Sequence, residues 1–369
     1  MKGLYFVTAD LNSARAHVTQ VLNTSASIGM RLPFVVVAPR FRSLDERAVM
    51  ERHGLGTFPA VKQLWNFGFR RGGILSFVLF NIPAGAYLVA QRMRGEVRFV
   101  YVRASYLLPV VMLARVLRVP CFYETHRKAM TLAENVREAL MVRLCSGFVA
   151  VSGYVARYYR AYGKPVLVEH DAVSPERFAV HIATYEARAR LRLPPDGHVC
   201  VYTGSVSVLK GVPTLLEAAR LLPGVTFLLV GRVAADISPA DAPSNVLFAG
   251  QVSQGEVPLY LRAADALLLP HPMNEYSQSP MKLFEYMAAG VPIVASKLPF
   301  VAEVVNEKSA VLVEPGNPKA LADGVSRILA DVSVAHRLSA QAALDVRAHT
   351  WERRGERIAK FIDKTLRGL

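Results

Sequence analysis

A loop of small residues followed by a lysine is the first feature of this sequence whose residue types could do chemistry. In the segment VYTGSVSVLKGVPTLLEAARLL, a predicted strand ends at Gly204, Ser205 follows in the loop, and Lys210 precedes a predicted helix. Exposed backbone N–H groups, the positive end of the helix dipole and the lysine charge together favour a bound phosphate. The segment lacks the GxxxxGK[ST] pattern of a P-loop. The alternative interpretation is a solvated lysine beside a helix start.

A second segment, PHPMNEYSQSPMKLFEYMAAGVPIVAS, places a glutamate where it needs a partner. Ser279 is a good N-cap and Pro280 a good first residue, so we expect a helix that ends just before Gly290. Glu285 then lies in the early turns beside an apolar strand, where its carboxylate is poorly hydrated. A ribose diol would satisfy this carboxylate. The alternative is a glutamate held by helix N–H groups or by Lys282, three residues earlier.

In the first half, the segment VPCFYETHRKAM places Glu124 and His126 at the carboxyl end of a predicted strand, with Arg127 next. Asp10 follows the first predicted strand in the same way. Residues at the carboxyl ends of parallel strands line the crevice in which open α/β sheets bind ligands. A lone histidine is also a common structural residue, so the pattern by itself leaves the role of His126 open.

The elements that must position these residues alternate along the whole chain. Short apolar, β-branched runs are separated by amphipathic stretches, a pattern typical of βαβ units and parallel sheets. The predicted strands of a first sheet are Leu4–Thr8, Phe34–Ala38, Phe99–Arg103, Pro120–Glu124, Gly147–Ser152 and Pro165–Val168. Those of a second sheet are His198–Gly204, Val225–Gly231, Asn245–Gly250, Ala266–Pro270, Pro292–Ser296 and Ala310–Glu314.

Residues 171–197, rich in charge and proline, predict a linker with a short helix between the two sheets. The sequence therefore predicts two α/β domains, residues 1–170 and 171–349. Residues 350–369 predict a basic amphipathic helix that packs back on the first domain.

The net charge of the chain is concentrated in its first half. The 369 residues are 52% hydrophobic and 20% charged, which excludes disordered and fibrous classes, and the formal net charge is +15. Residues 1–170 hold 23 basic and 9 acidic residues, whereas residues 171–369 hold 21 and 20. Such a bias attracts anionic partners: nucleic acid, an acidic membrane face or phosphorylated substrates.

Three features bear on the compartment in which the protein works. Cys121, Cys145 and Cys200 lack CxxC or metal-like spacing and predict buried, reduced thiols in a cytoplasmic protein. The apolar run at the N-terminus is too short for a signal peptide. Ile74–Ala90 is uncharged and flanked by arginines, and its length is at the limit for a membrane span. We favour a buried core helix, while a span and a helix whose basic end contacts a membrane surface stay open.

The motifs KG…LLEA and SPMKLFEYMAAGVPIVAS, together with FAGQVSQGEVPLYLRAADALLLP and DAVSPERF, resemble family 4 of the glycosyltransferases, a set of group 1 glycosyl transferases. The resemblance covers nearly all of residues 171–330 and rests on fewer residues before 150. It implies the GT-B fold, in which two Rossmann-like parallel-sheet domains face each other across a cleft. The first domain would bind the acceptor and the second the nucleotide-sugar donor, and the enzyme would be a retaining hexosyltransferase.

The resemblance also implies roles for individual residues. Lys210 would bind the donor diphosphate, Glu285 the nucleotide ribose, and His126 the donor sugar near the reacting carbon. The further donor-binding residues that it implies are Gly204, Ser205, Arg232, Gly250, Val252, Glu275, Ser277, Gln278, Ser279 and Lys282. Asp10, Glu124 and Arg127 would lie on the acceptor side.

Two positions depart from the family pattern. Where the family has an arginine beside the phosphate lysine this chain has Ser205, and Arg232 after the next strand is a candidate replacement. Ser277 stands where the family has the first glutamate of a two-glutamate motif, with Glu275 two residues earlier. These departures concern contacts to the donor sugar rather than to the nucleotide.

The expected mechanism uses no metal and no cofactor. A DxD sequence, the metal-holding signature of the other large transferase fold, is absent from the chain. Lys210, the loop amides and a helix dipole would stabilise the charge that grows on the departing diphosphate. The resemblance implies retention of configuration, and we expect front-face attack because no carboxylate pair can be assigned as nucleophile and acid.

Arginines interleaved with aromatic residues in the first half predict contact with an anionic membrane surface or a lipid diphosphate-linked acceptor. They are Arg40, Arg42, Arg70, Arg71, Arg92, Arg94 and Arg98, with Phe41, Trp65, Phe67, Phe69 and Phe77. The expected function is sugar transfer to a glycan or lipid-linked acceptor in cell-surface polysaccharide or lipopolysaccharide biosynthesis, peripherally on the inner face of the membrane. For the arginines, the alternative is that they are ordinary solvated side chains. For the protein, the alternatives are a catalytically silent nucleotide-sugar-binding protein and a basic nucleic-acid-binding protein. No nucleic-acid-reading motif is recognisable, so no nucleic acid is expected as partner.

Overall fold

The structure, a computed structural model, divides into two compact units. It describes residues 1–66, 74–126, 129–179, 182–273 and 281–369. The first unit comprises Met1–Asp171 together with Trp351–Leu369, and the second comprises Ala172–Thr350. The last helix of the chain therefore belongs to the first unit.

Within the described residues, the sheet of the first unit has seven strands, all parallel. They are β1 (Lys2–Phe6), β2 (Phe34–Pro39), β3 (Ala60–Leu64), β4 (Val97–Val102), β5 (Cys121–Thr125), β6 (Gly147–Ala150) and β7 (Val166–Val168). Their order across the sheet is β3-β2-β1-β4-β5-β6-β7. Apart from the edge strand β3, the strands are mostly apolar because helices cover both faces of the sheet.

Helices of the first unit form two layers. They are α1 (Ala16–Gly29), α2 (Glu46–His53), α3 (Ile74–Leu79), α4 (Asn81–Met93), α5 (Leu108–Val116), α6 (Leu132–Leu144) and α7 (Gly153–Arg160). One core packs α4, α5, α6 and α7 against the sheet, and another packs α1 and α2 against it.

The part of the second unit that the structure describes has a sheet of six parallel strands, in the order β10-β9-β8-β11-β12-β13. The strands are β8 (His198–Thr203), β9 (Val225–Val230), β10 (Val246–Gly250), β11 (Ala266–Leu269), β12 (Ile293–Ser296) and β13 (Val311–Val313). The helices are α8 (Thr184–Leu191), α9 (Val212–Leu221), α10 (Val257–Arg262), α11 (Met281–Ala289), α12 (Pro299–Ala302), α13 (Pro318–Ala330) and α14 (Val332–Asp345). One core contains residues of α9 and α13, and another contains residues of α10 and α11.

The C-terminal helix α15 (Trp351–Arg367) packs against α1 in the first unit. Its buried residues, among them Ile358 and Ile362, join the same core as α1. A Cβ at Gly355 would lie 2.5 Å from the backbone carbon of Ser27, so the two helices approach closely only because this residue is glycine.

Two expectations from the sequence differ from the structure. Strand β3 was not predicted because its sequence, AVKQL, has a lysine and a glutamine and lies half exposed at the sheet edge. Ile74–Ala90 is not one helix: α3 ends at Leu79 and α4 begins at Asn81, whose side-chain amide donates to the carbonyl of Val78 at 3.0 Å. In the described part of the chain, no helix has the length and hydropathy that a membrane crossing requires.

The order of each sheet reverses direction at one place, between β1 and β4 in the first unit and between β8 and β11 in the second. Ligands of open α/β sheets bind beyond the carboxyl ends of strands at such a switch point. The residues at that edge of each unit are therefore the candidates for ligand binding.

Candidate active site

Three glycines form the backbone edge at the carboxyl ends of β8, β9 and β10. The N–H of Gly204 donates to the Val230 carbonyl and the N–H of Gly231 to the Gly250 carbonyl, both at 2.8 Å. Gly231 has φ +150, and a Cβ there would lie 1.9 Å from the Gly204 carbonyl oxygen. Glycine is thus required for these strand ends to meet. Gly204 and Gly250, both predicted donor-binding residues, lie on this edge.

The loop that carries Lys210 lies directly against the end of β11. A Cβ on Gly211, which has φ +79, would lie 1.7 Å from the carbonyl oxygen of Pro270. Residues Val208–Lys210 form a short 3-10 helix before α9. The glycine therefore brings Lys210 close to Pro270 and to the next residue, His271.

Lys282 from α11 reaches the same edge. Its Nζ donates to the Tyr202 hydroxyl at 3.0 Å and lies 4.1 Å from the centre of the Tyr202 ring. The Tyr202 hydroxyl in turn donates to the Ser205 carbonyl at 2.8 Å. A Cβ on Gly204 would be 2.6 Å from the lysine Nζ, so the ammonium covers the backbone of the loop. Two lysines, one from each side of the switch point, thus flank the predicted phosphate loop.

The electrostatics of this edge are those of an anion site. Burial lowers the pKa of Lys210. Burial and the charge of Lys210 lower the pKa of Lys282 well below its ordinary value, although Glu285 opposes the shift. Concentrated positive charge of this kind is relieved by a bound anion.

Glu285 lies on α11, one turn from Lys282. Burial raises the pKa of its carboxyl, while the charges of Lys282 and Arg177 oppose the rise. The next residue, Tyr286, accepts the Thr203 backbone N–H at 2.8 Å through its hydroxyl and ties α11 to the end of β8. The carboxyl group is therefore partly buried beside two cations. The sequence predicted such a poorly hydrated carboxylate, which needs a partner.

The remaining predicted donor-side residues are placed as follows. Ser205 and Arg232 are exposed after β8 and β9, and the Arg232 carbonyl accepts the Val206 N–H at 3.0 Å. Val252 is half-buried just beyond β10 and packs on the core. Glu275, Ser277, Gln278 and Ser279 lie outside the described residues.

In the first unit, His126 follows β5 and is held by a buried ion pair. Its Nε2 lies 2.8 Å from Oε1 of Glu124, which also accepts from Nη2 of Arg354 at 2.8 Å. The other carboxylate oxygen of Glu124 accepts from the Tyr101 hydroxyl at 2.8 Å. Glu124 and Arg354 are both 0% exposed. Glu124 was predicted to lie on the acceptor side; the structure buries it behind His126, where it orients the ring and does not face solvent.

This arrangement defines the protonation state of His126. Burial of the ring and the charge of Arg103 lower its pKa to about 4, although the hydrogen bond that the ring donates to Glu124 opposes this shift. Burial on its own would raise the pKa of the Glu124 carboxyl. Arg354 and His126 outweigh burial and hold this pKa well below the ordinary range. At neutral pH the imidazole is therefore uncharged, with its proton on Nε2 toward Glu124 and a lone pair on Nδ1. Nδ1 lies 3.5 Å from the Gln20 amide nitrogen.

A polar cluster that the sequence did not predict surrounds Nδ1. Gln20 from α1 hydrogen-bonds both Arg103, which follows β4, and Asp171. Arg354 likewise escaped prediction because it lies 230 positions from Glu124 in sequence. For Gln20 and Arg354, the local signal in the sequence is a polar residue within the apolar stripe of α1 or α15.

The other predicted acceptor-side residues lie elsewhere or are not described. Asp10 accepts the Asn12 backbone N–H at 3.0 Å and lies 3.9 Å from the Arg42 guanidinium, so it shapes the turn after β1. Arg127 is outside the described residues. Among the residues that are described, no group of three His, Cys, Asp or Glu side chains could hold a metal ion.

Comparison with known proteins connects the second unit to a family. Residues 197–331 match the family model described as Glycosyl transferases group 1. That range contains Lys210, Lys282 and Glu285, and the resemblance found in the motifs is confirmed over it. A D-inositol 3-phosphate glycosyltransferase of Streptomyces bingchenggensis is 27% identical over 238 residues, 58% of this chain and 51% of the relative. A Bacillus subtilis glycosyltransferase assigned to teichuronic acid biosynthesis is 34% identical over 110 residues, 28% of each chain. The chain thus spans about half the length, or less, of these curated relatives.

Solved structures share the fold over the full chain. A sucrose-phosphate synthase from Thermosynechococcus elongatus has a TM-score of 0.78 at 17% identity and covers 100% of both chains. Anabaena HepE, crystallised with UDP and glucose, has a TM-score of 0.75 at 18% identity over 99% of this chain and 100% of its own. The lipopolysaccharide outer core galactosyltransferase WaaB has a TM-score of 0.68 at 15% identity and covers 99% of both chains. At these identities the likeness shows the fold alone, and the expected GT-B fold is confirmed.

Proposed function

We propose that this protein, whose second unit carries a group 1 glycosyl transferase domain, transfers a sugar from a nucleoside diphosphate sugar to a glycan or lipid-linked acceptor. The observation that carries the proposal is the pair of lysines, Lys210 and Lys282, at the glycine edge of the second sheet, inside the matched range. An anion of two charges or more fits this edge, and the ribose-binding candidate Glu285 lies one helical turn away.

The lysines are proposed to stabilise the leaving group. As the bond between sugar and diphosphate breaks, negative charge grows on the diphosphate, and preorganised cations stabilise it without reorganisation. Lys210 and Lys282 supply this charge from side chains, so we propose a reaction that needs no metal and no cofactor. Activity is then expected to be unchanged in EDTA.

His126 is proposed to hydrogen-bond a sugar hydroxyl in the first unit. The ring is neutral, its Nε2–H is engaged by Glu124, and Nδ1 offers a lone pair. A neutral imidazole that accepts a hydrogen bond favours binding of an oxocarbenium-like sugar, whereas a positively charged imidazolium would repel it. We propose front-face attack with retention of configuration, since the sequence assigns no carboxylate as nucleophile. The anomeric configuration of the product, determined by NMR, tests this assignment.

The acceptor is proposed to be lipid-linked and the protein to be cytoplasmic and peripheral at a membrane surface. Helices α3, α4, α5 and α6 expose large apolar side chains together with arginines. The exposed apolar residues are Val78, Ile82, Met112, Val116, Leu132 and Val136. The relative named for teichuronic acid biosynthesis supports an acceptor in cell-surface polysaccharide assembly.

Not all of the predicted membrane arginines are exposed without partners. Arg42 pairs with Asp10 and Arg98 with Asp363, whereas Arg40 and Arg94 are exposed. Arg70, Arg71, Phe67 and Phe69 lie outside the described residues. Co-sedimentation with anionic liposomes tests the surface directly. The double change Arg92→Gln and Arg94→Gln is expected to reduce binding, and the charge-matched Arg190→Gln and Arg192→Gln in the second unit are not. Equal binding by all forms would contradict the membrane assignment.

The donor proposal is tested by thermal stabilisation. Wild type, Lys210→Ala and Glu285→Ala are heated with UDP, GDP, ADP, TDP and CMP and with their common sugar conjugates. A ligand at about 100 times its dissociation constant adds about 2.7 kcal/mol to the free energy of unfolding, an easily measured shift. We expect one nucleoside diphosphate to stabilise wild type and not the two variants. Absence of a response to every nucleotide would overturn the proposal.

A further inference from the structure

A buried histidine lies at the carboxyl end of β11, close enough to both lysines of the candidate site to feel their charges. His271 follows Pro270, whose carbonyl oxygen is the atom that Gly211 approaches. The side chain is 0% exposed. It belongs to no recognisable motif, because one histidine after an apolar strand carries no pattern.

Neither ring nitrogen of His271 has a hydrogen-bond partner among the residues that the structure describes. Buried polar side chains are nearly always partnered, and an exception calls for a missing group. With respect to the part of the chain that the structure describes, both nitrogens of this ring are therefore available to a ligand that enters the site.

The charges around His271 define the kind of ligand. Burial, with the charges of Lys282 and Lys210, lowers its pKa well below the ordinary value, so the ring is neutral and carries one N–H donor. Two ammonium groups repel a metal cation and attract an anion. A ligand with several negatively charged oxygens would accept from the imidazole N–H and from both lysines together.

We propose that His271 is a donor-binding residue that donates a hydrogen bond to a phosphate oxygen of the nucleotide diphosphate, between Lys210 and Lys282. The inference rests on the proposed function and deepens it, because it adds a neutral donor to two cations and so completes a three-sided cradle for a diphosphate. Such a cradle binds the diphosphate itself and not the nucleoside.

The experiment compares binding of inorganic pyrophosphate, nucleoside diphosphates and the matching nucleosides by isothermal titration. His271→Phe removes the N–H donor but keeps a buried ring of similar size. We expect this variant to lower the affinity for pyrophosphate and for the nucleoside diphosphate by about 10- to 100-fold, the range for a hydrogen bond to a charged group. Its affinity for the nucleoside should not change. The exposed His336→Phe on α14 is the matched control and should bind as wild type does.

A second readout separates binding from folding. Because the ring has no hydrogen-bond partner among the described residues, His271→Phe is expected to keep or raise the melting temperature without ligand. His271→Gln retains an N–H donor and should recover part of the pyrophosphate affinity. A lower melting temperature with unchanged pyrophosphate affinity in His271→Phe would overturn the inference and make the residue structural. Failure of wild type to bind any diphosphate would instead overturn the proposed function.

Discussion

The ion pair between Glu124 and Arg354 permits a quantitative test of how the first unit holds His126. Arg354 is 0% exposed and donates to Glu124 at 2.8 Å, to Thr24 Oγ1 at 2.7 Å and to the His170 carbonyl at 3.0 Å. Replacing it by methionine keeps most of the stem and removes the charge and all three hydrogen bonds. The carboxylate of Glu124 then stays buried without its cation.

The expected cost follows from that geometry. Removing one partner of a buried ion pair typically costs about 3–5 kcal/mol, because the charge left behind is neither solvated nor paired. Arg354→Met should therefore lower the free energy of unfolding of the first unit by about that amount. Adding Glu124→Gln removes the stranded charge, so the double variant should lose less than the sum of the two single losses, with a coupling of about 1–3 kcal/mol.

Tryptophan fluorescence during urea unfolding measures these losses in the correct unit. The chain has two tryptophans, Trp65 and Trp351, and both belong to the first unit. The matched control is Lys2→Met, which breaks the surface pair with Glu96 at 2.8 Å and should cost less than about 1 kcal/mol. A loss below about 1 kcal/mol in Arg354→Met, or single losses that simply add, would show that the carboxylate of Glu124 does not depend on Arg354.

Three further predictions follow from the same geometry. Gly211→Ala should destabilise the second unit and abolish diphosphate binding, because its Cβ would lie 1.7 Å from a carbonyl oxygen. The control Gly95→Ala also has a positive φ but lies in open space, so it should lower the free energy of unfolding by only about 1–2 kcal/mol in thermal unfolding. Since the pKa of His126 is lowered to about 4 in the folded protein, the unfolded chain takes up the proton first as pH falls below about 6.5, so stability is lost on acidification. Protonation of this residue alone should lower the free energy of unfolding by about 2 kcal/mol between pH 7.5 and pH 5. His126→Gln should remove that part of the pH dependence in urea titrations. An unchanged pH profile in the variant would contradict a neutral ring. Lys282→Met should weaken nucleoside diphosphates in calorimetric titrations by about 10-fold or more and leave the matching nucleosides unaffected, and equal losses for both would contradict a phosphate role.

Much of the fold was predictable because its signals are local. Alternating apolar runs predicted the six described strands of the second sheet to within one residue at each end. In the first sheet they predicted six of the seven described strands, with ends up to two residues away. Strand β3 was missed because an edge strand with a lysine and a glutamine lacks a buried apolar run. The break between α3 and α4 was missed because composition shows an uncharged stretch but not the hydrogen bonds of Asn81.

The candidate site was predictable only where a motif carries it. Lys210 and Glu285 were found through a loop and a helix start, both local patterns. His271 and Arg354 were not found, since their significance depends on partners that the fold brings from far along the chain. Lys282 was noted as a neighbour of Glu285, but its position over Gly204 follows only from the packing of α11 on β8.

Transfer of a labelled sugar is the direct test of transferase activity in this protein. The sugar conjugate of whichever nucleoside diphosphate stabilises the protein is supplied with isotope in the sugar, together with a lipid extract that contains diphosphate-linked carriers. We expect label in the lipid fraction and release of the nucleoside diphosphate with wild type, and neither product with Lys210→Ala or Glu285→Ala. Binding of the sugar nucleotide without label in any acceptor fraction would contradict this expectation and would leave a nucleotide-sugar-binding protein without transferase activity.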